Sequence, residues 1–210
     1  VTAEGSGHLI LVNFRSGEVT RVIATDPHRS HMVALSADGS RALTSNGGTN
    51  SASVYDVASG NLVKDIAVPD RPEAVTTNRA GTELWIGSND EEVVTVFDVA
   101  TASVIAQWDG FDWPYRILLT RDERYAIIPD LGNEQLRIYD VASKTELGRM
   151  ELEGMGPQGV VLHPDDRTLF LSLSGRDQVL AIDIRSRQIK GIYNTGSAPD
   201  GIAYSPLVLR

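Results

Sequence analysis

The chain has 210 residues, with 19 Lys and Arg against 28 Asp and Glu and hence a net charge of −9. That length suffices for one sizeable core, and an acidic chain without a block of Lys or Arg lacks the cationic footprint that phosphate backbones demand, which excludes nucleic acid as a partner. It has no cysteine, so disulfides, thiolate nucleophiles and cysteinyl metal sites drop out together, and no apolar run approaches the roughly 20 residues that span a bilayer, so no membrane insertion is expected.

In chain order, Val1 to Glu4 has the pattern of the end of a second strand, Leu9 to Phe14 of a third and Val19 to Ala24 of a fourth. Val33 to Ser36, Arg41 to Thr44, Val54 to Val57 and Leu62 to Val68 then form a complete set of four short strands. Ser45 to Ser53, rich in Ser, Asn and Gly, is expected to be a long hairpin loop within it. The set recurs. Val54-Tyr55-Asp56-Val57, Val96-Phe97-Asp98-Val99, Ile138-Tyr139-Asp140-Val141 and Ala181-Ile182-Asp183-Ile184 place their aspartates at intervals of 42, 42 and 43, and Asn13 stands 43 residues before Asp56. No window carries a capped 3.6-residue apolar stripe, so helices are expected to be few.

Tandem four-stranded units of this length predict an all-β chain of β-propeller blades, since a lone sheet cannot cover both faces and neighbouring blades cover one another. The expected single domain, 1–210, holds blades near 31–68, 73–108, 115–151 and 158–193, with a fifth from 200–210 plus 1–25. Gly201 to Ser205 has the pattern of a first strand. Laying Tyr204 to Arg210 and then Val1 to Glu4 over Leu35 to Ser45 without a gap puts Arg210 on Arg41 and Val1 on Ala42, which predicts a five-bladed ring closed by the two ends of the chain.

The four repeated aspartates precede tight turns, where a short carboxylate accepts turn N–H groups; their repetition marks a structural device. The first position of each innermost strand behaves differently. His31, Glu73, Tyr115, Gln158 and Asp200 are spaced 42, 42, 43 and 42 apart, and the backbone setting repeats (Ser30, Pro72, Pro114, Pro157, Pro199) while the side chains vary. In a propeller they face the mouth of the central channel, where converging polar groups make a ligand site or simply solvate the opening. His28, Arg29, Arg71, Trp113 and Arg116 are expected around them from the connecting loops. His31, Glu73 and Asp200 are of ligand type for a hard divalent ion; with one, His31 or Glu73 would be the general base for a lactone. The arginines would instead hold a carboxylate or phosphate. Trp108, Phe111 and Trp113 crowd one inter-blade loop, as a partner anchor or as packing. His163 and His8 are expected at a surface turn and at a strand start. No Gly-x-Ser-x-Gly elbow, phosphate-binding loop, dinucleotide fingerprint or His-Glu-x-x-His helix occurs.

The units resemble those of the YVTN β-propeller family. The resemblance rests on Pro199-Asp200-Gly201-Ile202, Leu162-His163-Pro164-Asp165-Asp166, Leu84-Trp85-Ile86-Gly87-Ser88-Asn89 and Val54 to Gly60, and covers essentially the whole chain. It implies a periplasmic or extracellular protein that acts as a non-catalytic binding or scaffold module with a small-molecule or protein partner, or alternatively as a metal-dependent lactonase-like hydrolase. No cofactor is expected for the first reading, and a divalent metal in the channel mouth for the second. Family members usually have seven blades, so the five units here imply either a small ring or further units upstream.

Overall fold

In the computed structural model of the chain, which describes residues 1–25 and 28–205, the regular structure is almost entirely β. The first sheet holds β1 (Thr2–Ala3), β2 (His8–Val12) and β3 (Val19–Ala24). The second holds β4 (Ser30–Leu35), β5 (Arg41–Asn46), β6 (Ser51–Asp56) and β7 (Leu62–Ala67). The third is β8 (Pro72–Thr77), β9 (Glu83–Ser88), β10 (Val93–Asp98) and β11 (Val104–Trp108). The fourth is β12 (Leu118–Leu119), β13 (Tyr125–Asp130), β14 (Gln135–Asp140) and β15 (Thr145–Glu151). The fifth is β16 (Pro157–Leu162), β17 (Thr168–Leu173), β18 (Gln178–Asp183) and β19 (Gln188–Asn194). Each sheet is an antiparallel meander in chain order, as short connections dictate. The chain divides into two compact units, Val1–Ile117 and Leu118–Arg210.

In the first unit Leu43, Ala52, Val54 and Ile66 of the second sheet pack with Val75, Leu84, Ile86 and Phe97 of the third. In the second unit Ile127 and Leu136 of the fourth sheet meet Leu162, Leu169, Leu171 and Ile182 of the fifth. Each Val, Leu, Ile or Phe among them contributes roughly 1.5–3 kcal/mol by leaving water. Central strands β5, β6, β9 and β10 are buried over five consecutive residues, because both faces of each sheet are covered.

The repeated aspartates organise the turns as their position predicts. Backbone N–H groups of Ser59, Thr101, Ser143 and Ser186 donate to Asp56, Asp98, Asp140 and Asp183 at 2.8, 2.7, 2.8 and 3.0 Å. These donors hold all four carboxyls below the usual range, Asp183 at about 2. Neighbouring sheets of the first unit are clamped at the same turns: Arg21 of β3 donates to the carbonyls of Ser59 (2.6 Å) and Ala58 (2.8 Å), and Lys64 of β7 to that of Ala100.

Several expectations need correction. Ser45 to Ser53 is no long loop: Ser45 and Asn46 end β5 and Ser51 opens β6, because Ser, Thr and Asn side chains there bond one another and stay buried. Glu4 belongs to a short 3-10 turn, Glu4–Ser6, and the strand beginning near Leu9 ends at Val12, short of Phe14. The innermost strand of the fourth sheet is only Leu118–Leu119, leaving Tyr115 outside it. Gly201 to Ser205 lies in no strand, and the closing segment 206–210 lies outside the described residues. The expected closing register is also off by two. Thr2 pairs with Leu9 as Ser45 pairs with Ala52, and the two hydroxyls donate alike to the backbone carbonyls of His31 (2.5 Å) and Glu73 (2.7 Å). Val1 therefore corresponds to Thr44, not Ala42. A two-residue slip keeps every side chain on its face, so apolar alternation cannot detect it.

Candidate functional site

The innermost strands β4, β8 and β16 are interrupted at equivalent places. Register shifts between Ser30 and Val33, Pro72 and Val75, and Pro157 and Val160 leave His31, Glu73 and Gln158 out of the ladder; such a bulge re-aims side chains. Two residues before each inner-strand position the backbone is left-handed: Arg29, Arg71, Trp113, Gly156 and Ala198 have φ of 49°, 54°, 71°, 63° and 49°. Only one of the five is glycine. For the others this conformation costs roughly 1–2 kcal/mol.

In the first unit this geometry assembles a chain of alternating charge. His31 Nδ1 lies 3.1 Å from Glu4 Oε2, and Nε2 lies 3.7 Å from Glu73 Oε1. Arg29 reaches Glu4 at 3.4 Å and Arg116 stands 4.0 Å from Glu73. Asn89 Nδ2 and Trp113 Nε1 donate to the other Glu73 oxygen at 2.6 and 2.9 Å. The Glu73 carboxylate, with Glu4 behind it, raises the His31 pKa against the lowering effect of burial. Burial pushes Glu73 up, yet its donors His31, Asn89 and Trp113 outweigh it and hold the carboxyl below the ordinary value.

Beside this chain opens a polar cleft of about 450 Å³. Arg71 crosses it to Asp90 at 3.2 Å, with its guanidinium 5.7 Å from the Trp113 ring centre; Asn50 donates to Asp70 at 2.7 Å. Tyr115 is buried, with the Arg116 guanidinium 4.4 Å from its ring centre. The left-handed residues thus reach back over the preceding repeat, Arg29 to Glu4 and Trp113 to Glu73.

Of the residues singled out from the sequence, the first unit brings together His31, Glu73, Arg29, Trp113 and Arg116, with Tyr115 under Arg116 and Arg71 across the cleft. His28 turns aside, with Nδ1 3.0 Å from the Thr49 hydroxyl. Gln158 and Asp200 belong to the second unit. Gln158 is half-buried in the β16 bulge, and the backbone carbonyl of Asp200 accepts from Ser172 Oγ at 2.6 Å, the bond that Ser45 makes to Glu73. Gly159 has no room for a side chain, since a Cβ would run into that Asp200 carbonyl. Glu4 and Glu73 face different nitrogens of His31, so these three do not meet at one point, and among the described residues no group of three or more His, Asp or Glu is arranged to hold a metal ion. The aromatic trio separates: Phe111 is buried, Trp108 lies 5.7 Å from Trp85, and Trp113 stands against Glu73 and Arg71 at the edge of the cleft. His163 occupies its turn 3.1 Å from Asp165, and His8 Nδ1 lies 3.2 Å from the Ser6 hydroxyl.

Sequence reasoning missed Glu4, Asn50, Asp70, Asn89 and Asp90. Glu4 was hidden in an expected strand. The others lie in hairpin or crossover turns, where acids and amides also serve turn geometry.

No family model matches this sequence, and no curated protein matches it. Among solved structures the chain is similar to Kuenenia stuttgartiensis hydrazine synthase, with a TM-score of 0.74 and 23% identity over 80% of this chain and 50% of that one. The likeness is one of fold. The chain spans about half the length of that structure's chain, and the successive antiparallel sheets of each unit fit a β-propeller. Among the described residues no helix is long and apolar enough to cross a membrane.

Proposed function

We propose that this chain is a non-catalytic binding or scaffold module of the YVTN propeller kind, working in an exported setting and engaging a small ligand or a protein partner at the cleft over His31 and Glu73. The observation that carries this reading is that both ring nitrogens of His31 face carboxylates, at 3.1 and 3.7 Å. A general base must offer a lone pair to its substrate. Both His31 nitrogens are turned toward carboxylates, so neither is directed at a substrate in the cleft, and Glu73 is already engaged by His31, Asn89 and Trp113. What is left is a structured, polar, concave surface, which is the setting of recognition.

The test is turnover of δ-gluconolactone and γ-butyrolactone by the purified chain, alone and with Ca²⁺, Mg²⁺ or Zn²⁺. The expected rate equals the uncatalysed background and is the same in His31→Gln. Enzyme-like turnover that disappears in His31→Gln or Glu73→Gln overturns the reading in favour of a lactonase.

A further inference from the structure

We propose that the cleft over His31 takes an uncharged polyhydroxylated ligand, a mono- or disaccharide; this rests on the reading of that cleft as a binding site. The charged groups of the cleft are already engaged. Glu4, Asp70, Glu73 and Asp90 stand in or beside the cleft, and each already has a counter-charge or amide: Glu4 has Arg29 at 3.4 Å, Asp90 has Arg71 at 3.2 Å, Asp70 has Asn50 at 2.7 Å and Glu73 has His31 at 3.7 Å. An anion must compete with a carboxylate for Arg29 or Arg71, and a cation with an arginine or His31 for Glu4, Asp90 or Glu73; Asp70 alone is held by an amide. Each of these ion pairs has an exposed member, so each exchange gives up about 0–1 kcal/mol that a neutral ligand keeps.

A neutral ligand displaces nothing. A carboxylate offers about four lone-pair directions and a guanidinium five N–H donors, so pairs joined by one short contact keep edges for hydroxyl groups, which both donate and accept. These side chains are planar and two-pronged, matching vicinal hydroxyls. One further observation points the same way. Trp113 is 37% exposed, and its indole N–H is tied to Glu73 in a backbone conformation that few bulky residues adopt. That tether holds an apolar ring at the edge of a polar cleft, which suits the C–H face of a sugar. At about 450 Å³ the cleft has the size of a small-ligand site.

The test follows the Trp113 indole N–H resonance, assigned with Trp113→Phe, while the full chain is titrated with glucose, galactose, mannose, maltose and cellobiose, and with gluconate and spermidine as charged counterparts. The expected result is a saturable shift with at least one neutral sugar. Its affinity should change less than about twofold between 50 and 500 mM NaCl, because no net charge is exchanged, and should fall at least about tenfold in Glu73→Gln. The rim variant Asp90→Asn, exposed and harmless to the core, should also weaken it. A shift produced only by gluconate or spermidine, or by no member of the panel, overturns the ligand class while leaving the binding-module reading standing. Lactone turnover dependent on His31 overturns the binding-module reading itself.

Discussion

In the second sheet, where β5 ends and β6 begins, Asn46 is fully buried and uses every hydrogen-bonding position it has: Oδ1 accepts from Ser30 (2.8 Å) and Thr44 (2.9 Å), and Nδ2 donates to Ser51 (3.1 Å) and Ser53 (2.7 Å). In the fourth sheet the equivalents of Asn46 and Ser53 are Asp130 and Arg137, both buried. There Arg137 lies 3.9 Å from Asp130 and 2.8 Å from Glu146, which also accepts from Arg149 at 2.8 Å and from the Tyr139 hydroxyl at 3.2 Å. The fifth sheet carries Leu173 and Leu180 at the same two positions, buried and apolar. One backbone site thus accommodates a neutral amide network, an ion network or two leucines. The difference lies in what happens when one member is removed, since an amide network loses hydrogen bonds while an ion network leaves a charge without its partner in low dielectric.

The sharpest way to break this comparison is Arg137→Leu. It leaves Asp130 and Glu146 without their shared cation, and about 3–5 kcal/mol of stability should be lost, measured by urea unfolding at pH 7. A loss below about 1 kcal/mol would mean that water already solvates the pair. The triple replacement Asp130→Leu, Arg137→Leu, Glu146→Ile copies the fifth sheet, where Ile189 stands at the Glu146 position, and should return stability to the wild-type value or above it, because an apolar set of similar volume no longer has charges to desolvate. If the triple variant is as unstable as the single one, the fifth sheet's solution is not portable. Asn46→Leu in the second sheet ranks next. It strands hydroxyl groups without stranding a charge, so about 1–3 kcal/mol should go, less than for Arg137→Leu under the same conditions.

These contrasts also explain what was legible in the sequence. The aspartate spacing and the Val, Ile and Leu strands announced the repeat, because apolar burial and turn chemistry recur in every unit. Asn46, Ser51 and Ser53 were unreadable as core for the opposite reason. Their polarity is satisfied by partners on adjacent strands, and a polar run looks like a loop until its hydrogen bonds are known. At the candidate site His31 and Glu73 were legible from register alone, whereas Glu4 was not, since its approach to His31 depends on the 3-10 turn after β1. Arg29, Arg71 and Trp113 were legible as loop residues beside those positions, but their left-handed backbone was not, because only one equivalent position, Gly156, holds the residue that prefers it.

Proton linkage separates the two units further. Burial raises the Glu146 pKa, but Arg137 and Arg149 outweigh it and hold the carboxyl below its ordinary value. Its stabilising contribution is therefore complete above the unfolded pKa near 4.3 and is lost as pH falls through the folded one. The triple variant should melt with less acid sensitivity than the wild type, while Asn46→Leu should leave the acid limb unchanged.

His31 runs with the opposite sign and the smallest effect. Its pKa is raised chiefly by Glu73 and further by Glu4, so its contribution is fully present below the unfolded value of about 6.5 and disappears as pH climbs through the higher folded value. Because the His31 side chain is 45% exposed, solvent screens the pair and the whole effect should amount to about 0.2–1 kcal/mol. His31→Gln, which keeps a donor but cannot become charged, should lower the melting temperature slightly at pH 5.5 and not at pH 8.5, flattening the alkaline limb that the wild type shows. Equal losses at the two pH values would mean that His31 holds Glu4 and Glu73 by shape and not by charge. The alternating chain from Arg29 to Arg116 would then be a packing contact, and the balance of charge invoked for the cleft would lose its central member.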